Sequence, residues 1–210
     1  MKKLIDLETY PRRSHFDFFR QMAYPYVGMT ANVDVTDLKQ YAKVSGGSVF
    51  LACLWTAAQA ANAVPELRQR IVDGQIVEFD HCDTAHTVLL PDHTFCNCRT
   101  DCRRTLAEFL PYGKQCQEEA CHHHGFAATQ EDETNLIFLS CVPWVSFTQV
   151  IQPSPIPADS TPRIVFGKFF SQEDRTLMPL HIQCNHALVD GYHIGLFYGA
   201  FAGFAKVKME

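Results

Sequence analysis

The stretch QCNHALVDGYHIG at residues 183–195 combines residue types and a spacing that suit proton transfer. His186 stands four residues before Asp190, and Gly191 follows at once. A neutral imidazole can take a proton from a hydroxyl at neutral pH, as a general base does. Aspartate is a good cap where a helix begins, and glycine permits a close backbone approach or an unusual dihedral angle. The spacing predicts a general base at His186, facing a cleft.

Taken alone, this motif is only moderately specific. The chain has 10 histidines. With ordinary frequencies of Asp and Gly, the pattern His-x-x-x-Asp-Gly arises by chance in about a few sequences per hundred. A histidine before a helix is more often a hydrogen-bonded surface or core residue than a base. The surrounding elements must therefore distinguish a catalytic site from a turn that happens to contain a histidine.

Hydrophobic periodicity predicts the elements that position this stretch. Helices are expected at 12–22, 36–43, 46–63, 102–110 and 191–206, with Pro111 ending or kinking the fourth, and strands at 26–35, 75–79, 86–96, 136–142, 163–170 and 177–184. Because strands often follow strands, the expected fold class is α/β, with a two-layer mixed β-sheet covered by helices in a single domain spanning 1–210.

The composition narrows the choice of partners. The 210 residues are 47% hydrophobic and 20% charged, with a net charge of −5. A sizeable core can form, and neither nucleic acid nor a membrane is expected as a partner. Asp6 and Glu8 interrupt any export signal, and the longest apolar run, 49–64, is short for a membrane span. A cytoplasmic location is therefore expected.

The 9 cysteines are expected to be mostly reduced and buried, since no export signal is visible. One group invites a metal interpretation: His93, Cys96, Cys98, Cys102, Cys116, Cys121 and residues 122–124. Its Cys-x-Cys and Cys-x-x-x-Cys spacings differ from the Cys-x-x-Cys pairs typical of structural zinc, so no metal is expected.

A proline-rich segment runs from Pro153 to Pro162 and is predicted to be a loop between two strands. A long loop of this kind inside a compact domain often shapes a pocket or a subunit contact. A plain connector is an equally good interpretation.

Several further segments, in order along the chain, resemble those of the chloramphenicol acetyltransferase family. The residues 183–195 are similar to its HHxxxDG signature, and RRSHFDFFRQM at 12–22 is similar to its RRxHFxFxR segment. The remaining matches are NVDVTDLK at 32–39, AAQAANAVPELRQRI at 57–71 and LSCVPWVSF at 139–147. Because these matches run through most of the chain, it is identified as a member of that family.

The resemblance implies a role for each matching residue. His186 corresponds to the general base, which takes the proton from an acceptor hydroxyl as that oxygen attacks the thioester of acetyl-CoA. Ser140 corresponds to the serine that stabilises the tetrahedral oxyanion. Asp190, followed by Gly191, corresponds to the aspartate that pairs with an N-terminal arginine, for which Arg13 is the match. The resemblance further implies direct transfer in a ternary complex, acetyl-CoA as co-substrate with no permanent cofactor, and a homotrimer with its sites at subunit interfaces.

Departures from the family pattern concentrate around the acceptor. Phe19 takes the place of a tyrosine that lines the drug pocket, and Val165 that of a threonine that holds a water in the transition state. Phe95 matches a pocket phenylalanine and is retained. Asn185 replaces the first histidine of the signature, and Phe138 replaces an asparagine. Lys168 matches a lysine near the coenzyme, although a solvated lysine at a strand end is nearly as good an interpretation.

Three functions therefore remain open at the level of sequence. The first is O-acetylation of chloramphenicol, an antibiotic-resistance activity. The second is the same chemistry on another small hydroxylated acceptor. The third is a non-catalytic binding protein that keeps the fold. The joint presence of Arg13, Ser140, His186, Asp190 and Gly191 argues against the third.

Overall fold

The structure is a computed structural model that describes residues 1–122 and 133–207. Its helices are α1 (Arg13–Phe19), α2 (Thr36–Ser45), α3 (Val49–Asn62), α4 (Leu106–His122) and α5 (Gly191–Phe204). Its strands are β1 (Lys2–Leu4), β2 (Tyr26–Asp34), β3 (Gln69–Val72), β4 (Gln75–Phe79), β5 (Asp83–Leu89), β6 (Phe95–Thr100), β7 (Leu136–Val142), β8 (Arg163–Gly167), β9 (Phe170–Gln172) and β10 (Arg175–Asn185).

The larger sheet has the strand order β2-β10-β8-β7-β5-β6, with β9 paired to β10. Strand β10 runs antiparallel to both β2 and β8, whereas β7 runs parallel to β8 and to β5. A smaller antiparallel sheet has the order β1-β4-β3. The predicted α/β fold with a mixed sheet covered by helices is therefore confirmed.

The hydrophobic core lies between the helices and one face of the larger sheet. Leu180, Ile182 and Cys184 of β10 belong to this core. Because side chains alternate along a strand, the residues between them face the opposite side of the sheet. On that side Ser140 and His181 flank Val165, since the register pairs Val165 with each of them on neighbouring strands. The sheet thus separates an apolar face under the helices from a more polar face.

Three predicted elements differ from the structure. The strand expected at 163–170 is interrupted at residues 168 and 169 and forms β8 and β9. The strand expected at 86–96 is two strands, β5 and β6, joined by a tight turn in which His93 has a φ of 67°. Helix α4 begins later than expected and continues through Pro111, because buried Phe109 and Leu110 before the proline and Gly113 after it hold both parts against the core. Within the described residues, no helix combines the length and apolar character that a membrane span requires.

Candidate active site

The loop after β10 fixes the orientation of His186. Strand β10 ends at Asn185, so His186 is the first residue beyond it, as the alternation predicted. The backbone N–H of His186 donates to the carbonyl of Pro25 at 2.7 Å, and its Nδ1 lies 2.9 Å from the carbonyl oxygen of Val189. A carbonyl only accepts hydrogen bonds, so Nδ1 carries the proton. The neutral ring therefore presents the lone pair of Nε2 as its basic atom.

Phe19 supports the imidazole from one side. Its ring stacks on that of His186, with the centroids 3.8 Å apart and the planes 16° from parallel. Both side chains are partly buried. The residue expected to line the acceptor pocket is thus in direct contact with the candidate base, and it restricts the rotation of the imidazole.

Asp190 pairs with an arginine of the N-terminal segment, but the partner is Arg12 rather than Arg13. Arg13 binds Asp17 at 2.6 Å, one helical turn later, and Glu8 at 3.5 Å, so the predicted Arg13–Asp190 pair is wrong. Arg12 lies just before α1 and Arg13 is its first residue, and the two side chains leave the backbone in different directions, so Arg12 reaches the loop while Arg13 binds within the N-terminal segment. Partial burial acts to raise the pKa of Asp190, but the hydrogen bond and charge of Arg12 outweigh it and hold that pKa below its usual value.

Asp190 also begins α5, as predicted from its position. Its side chain accepts from the backbone N–H of Tyr192 at 3.0 Å, while its own backbone N–H donates to Nδ1 of His193 at 3.2 Å. Such reciprocal capping satisfies donors that the first helical turn leaves free. Gly191 has no left-handed φ, and an added Cβ would meet Cε of Met29 at 3.4 Å, an ordinary contact. Neither the unusual dihedral angle nor the close backbone approach that the sequence suggested for Gly191 is therefore found at this residue.

Ser140 lies on β7 and opens onto an apolar cleft of about 440 Å³. Its hydroxyl lies 3.1 Å from that of Thr87 on β5, which orients it. The residues around the cleft are mostly apolar: Phe50, Cys53, Thr87, Val88, Leu89, Phe95, Gln117, Ser140, Cys141, Pro143, Trp144, Phe166, Phe169 and Met178. An apolar cleft with few polar groups is typical of a small-molecule site.

The cleft exists because two strands part. β5 and β7 are paired from Asp83 with Leu136 to His86 with Leu139, and beyond these pairs each strand continues without the other. Ser140 is the first residue of β7 after the last pair. Phe50 on α3 lines the cleft from the helical side, so the cleft extends from the serine toward the helices.

The remaining predicted residues are Phe95 and Val165 of the acceptor pocket and Lys168 of the coenzyme site. Phe95 lines it and is 46% exposed. Val165 is buried beside Ser140 in the register and faces the same side of the sheet. Lys168 is exposed just after β8, where its backbone N–H donates to the carbonyl of Val145 at 2.9 Å, next to the cleft residue Phe169.

His186 and Ser140 are far apart within one chain. Ser140 lies level with His181 in the sheet, two strands away. His186 comes five residues after His181, which corresponds to roughly 17 Å along β10 and roughly 10 Å across the strands. One reacting group cannot touch both side chains of the same chain.

Cys141, the cysteine beside Ser140, is not an activated nucleophile. Cys141 lines the cleft beside Ser140, but burial raises its pKa to about 11, so the thiol stays protonated at neutral pH. In the described ranges, the ligating atoms that lie within 4.8 Å of one another belong to His81, Asp83 and Asp101. Arg99 and arginines 103 and 104 already pair with these carboxylates. Of the histidines in the predicted metal group, His123 and His124 lie outside the described residues.

Comparison with known proteins gives the family. The family model for chloramphenicol acetyltransferase matches residues 2–201. The chain belongs to the chloramphenicol acetyltransferase family. It is 29% identical over 194 residues to a chloramphenicol acetyltransferase of Klebsiella sp, covering 91% of this chain and 88% of the relative. It is 26% identical to chloramphenicol acetyltransferase 3 of Escherichia coli, covering 98% of this chain and 97% of the relative.

Solved structures agree with this assignment. A chloramphenicol acetyltransferase structure superposes with a TM-score of 0.90 at 30% identity, covering 98% of this chain and all of the other. A probable dihydrolipoamide acetyltransferase from Listeria monocytogenes, at 17% identity and a TM-score of 0.68 over 97% of this chain and 94% of the other, shares the fold. The protein is an enzyme of the acetyl-CoA-dependent O-acetyltransferase type.

The sequence did not predict the roles of Arg12 and Thr87 in the candidate site. Arg12 was overlooked because two adjacent arginines cannot be ranked without knowing which one faces the loop. The hydroxyl of Thr87 touches Ser140 from another strand, and its only sequence signal was its position within an alternating strand.

Proposed function

We propose that the enzyme transfers an acetyl group from acetyl-CoA to a hydroxyl of chloramphenicol, with His186 as general base and Ser140 as oxyanion donor. The observation that carries this proposal is the Nδ1 contact of His186 with the Val189 carbonyl at 2.9 Å, which leaves Nε2 as the proton acceptor. The protein's family membership supports the choice of thioester and acceptor.

The chemistry is a direct transfer. Nε2 of His186 takes the hydroxyl proton while the alcohol oxygen forms a bond to the thioester carbonyl carbon. The resulting oxyanion accepts a hydrogen bond from the Ser140 hydroxyl, which Thr87 orients. When the tetrahedral intermediate collapses, the carbon–sulfur bond breaks and the imidazolium returns its proton to the CoA thiolate. A cleft bounded by Ser140 and by apolar residues of the helical side suits a ternary complex in which both substrates meet at the serine.

The separation of His186 from Ser140 within one chain supports a site shared between subunits. In a ring of identical subunits, His186 of one copy lies opposite Ser140 of the next. The family resemblance gives the number of copies as three. The proposed active enzyme is thus a homotrimer whose sites lie at its interfaces.

The polar groups lost around the acceptor favour an alternative substrate of the same class. Phe19 contributes a ring without a hydroxyl, and Val165 places an aliphatic side chain beside Ser140. A neutral hydrogen bond contributes about 0.5–1.5 kcal/mol, so each loss lowers turnover of chloramphenicol about tenfold or less. Another small hydroxylated compound that needs neither bond is the second candidate acceptor.

The test is thiol release from acetyl-CoA by the purified enzyme, with chloramphenicol and a panel of small alcohols as acceptors. Measurable chloramphenicol turnover is expected, and Val165→Thr should raise kcat. Clear turnover of another alcohol with none of chloramphenicol would replace the first acceptor with the second. Absence of turnover with every acceptor, in protein that binds acetyl-CoA, would reject the enzymatic proposal.

A further inference from the structure

We infer that Asn185 is a positioning residue that holds His186 in its reactive tautomer, and that Asp159 and Arg163 anchor it. The inference rests on the proposed role of His186 as the base. Asn185 does not line the apolar cleft, and both ends of its amide bond to backbone groups, so its influence on the reaction passes through the loop that follows it.

Asn185 organises the turn that carries the base. Its side-chain oxygen accepts from the backbone N–H of Ala187 at 3.0 Å, and its backbone carbonyl accepts from Leu188 at 3.1 Å and Val189 at 3.0 Å. Three successive N–H groups thus converge on one residue. They set the path of the backbone as far as Val189, whose carbonyl is the acceptor for Nδ1 of His186.

The amide nitrogen of the Asn185 side chain connects this turn to the proline-rich segment by a hydrogen bond. Its Nδ2 donates to the backbone carbonyl of Asp159 at 2.9 Å. The Asp159 carboxylate is held by two nitrogens of Arg163 at 2.8 and 2.7 Å and by the Tyr26 hydroxyl at 3.0 Å. A bidentate guanidinium–carboxylate pair is geometrically specific, so the carbonyl that receives Asn185 has a defined position.

Burial makes these contacts hard to replace. Asn185 is 2% exposed and Arg163 is 8% exposed. A buried amide that loses a partner cannot turn to water, and the turn must then rearrange. The end of the proline-rich segment is therefore part of the support for the base, rather than a plain connector.

Asn62 offers a matched control. Its Nδ2 donates to the carbonyls of Ala58 and Cys82, both at 2.9 Å, and its Oδ1 accepts from the N–H of Cys82 at 2.7 Å. It makes the same kinds of bond as Asn185, but on α3, away from the loop. Asn62→Ala therefore reports the general cost of removing a half-buried amide.

The experiment combines kinetics with the ¹⁵N NMR shifts of the His186 ring, assigned by their loss in His186→Ala. Asn185→Ala is expected to convert the Nδ1-protonated ring to a mixture of tautomers and to lower kcat about 10-fold to 100-fold. The KM for acetyl-CoA should change less than twofold. Asn62→Ala should leave both the ring shifts and kcat as in the wild type.

Asn185→Asp tests the two side-chain hydrogen bonds of Asn185 separately. It also provides a second variant if Asn185→Ala folds poorly. It keeps an oxygen for Ala187 but replaces the donor to Asp159, so the tautomer should persist while kcat falls to an intermediate value. Wild-type ring shifts and kcat in both Asn185 variants would overturn the inference, as would equal shift changes in Asn62→Ala. Because the ring shifts need no turnover, failure of the proposed transferase activity is distinguishable from failure of this inference.

Discussion

At the scale of single residues, three contacts hold the candidate base. The Val189 carbonyl receives Nδ1, the Phe19 ring covers one face of the imidazole, and the backbone is bonded to Pro25. Only Nε2 remains to exchange a proton with a substrate. Ser140 is constrained in a similar way, because the Thr87 hydroxyl fixes the direction of its own. Each side chain is oriented before any substrate arrives, which reduces the entropic cost of reaching the transition state.

Replacing His186 with alanine removes the proposed proton acceptor. Turnover should fall about 10²–10⁴-fold, the usual contribution of a general base, while the affinity for acetyl-CoA stays near that of the wild type. Steady-state thiol release and equilibrium binding of acetyl-CoA together measure both quantities. A variant with wild-type kcat would remove His186 from the mechanism.

Replacing Ser140 with alanine removes the proposed oxyanion donor without opening a large cavity. Because this donor acts on charge that develops in the transition state, kcat should fall roughly 10²-fold. Thr87→Val should give a smaller decrease, since it leaves the serine hydroxyl present but free to turn. An effect of Ser140→Ala on KM alone would mean that the serine only binds substrate.

At the scale of elements, the residue that begins α5 contributes both to the stability of the helix and to the position of the His186 loop. Asp190 caps this helix and receives Arg12 from the segment just before α1, so one carboxylate connects two ends of the chain across the loop of His186. Loss of the Arg12–Asp190 pair should therefore change the orientation of His186, although neither residue is the base itself.

Arg12 and Arg13 provide an adjacent pair for testing that connection. Arg12→Met should lower kcat and stability, whereas Arg13→Met should change both little, since Arg13 binds Asp17 on the surface. In a double-mutant cycle with Asp190→Asn, Arg12→Met should show coupling and Arg13→Met none. Additive effects for the Arg12 cycle would exclude the pair as a functional contact.

The pH dependence of the folding stability should also reveal the Arg12–Asp190 ion pair. The pKa of Asp190 is lower in the folded protein than its ordinary value of 3.8, because Arg12 outweighs the effect of burial. Its stabilising contribution is therefore complete above the unfolded pKa and is lost as the pH falls through the folded one. The difference in Tm between the wild type and Asp190→Asn should narrow as the pH is lowered from about 6 to about 3. A constant difference would mean that the charge contributes nothing.

Local sequence signals predicted much of this arrangement. The end of β10, the cap at Asp190 and the strand that carries Ser140 follow from alternation and capping preferences, and each is confirmed. The error at Arg13 arose because sequence does not give the direction in which neighbouring side chains leave the backbone. Helix α4 passes Pro111 because packing around Phe109 and Gly113 compensates for the hydrogen bond that the proline cannot make. Tertiary contacts of this kind leave no local pattern.

At the scale of the whole molecule, the sheet separates the two proposed catalytic residues. Ser140 lies where β5 and β7 part, and His186 lies beyond the end of β10, roughly 20 Å away by strand spacing and rise. We therefore expect each site of the proposed homotrimer to combine His186 of one subunit with Ser140 of the next. A single chain would then be inactive even when correctly folded.

Subunit complementation tests this claim most directly. Ser140→Ala and His186→Ala chains carrying different affinity tags are co-expressed, and trimers that contain both are isolated by tandem purification. Every such ring has one interface where an intact His186 meets an intact Ser140, so acetylation should recover to about one third of the wild-type rate. Mixed rings of His186→Ala with the double variant, which contain no intact interface, should stay at background. Mixed rings of the two single variants that are no more active than their parent homotrimers would contradict the shared site.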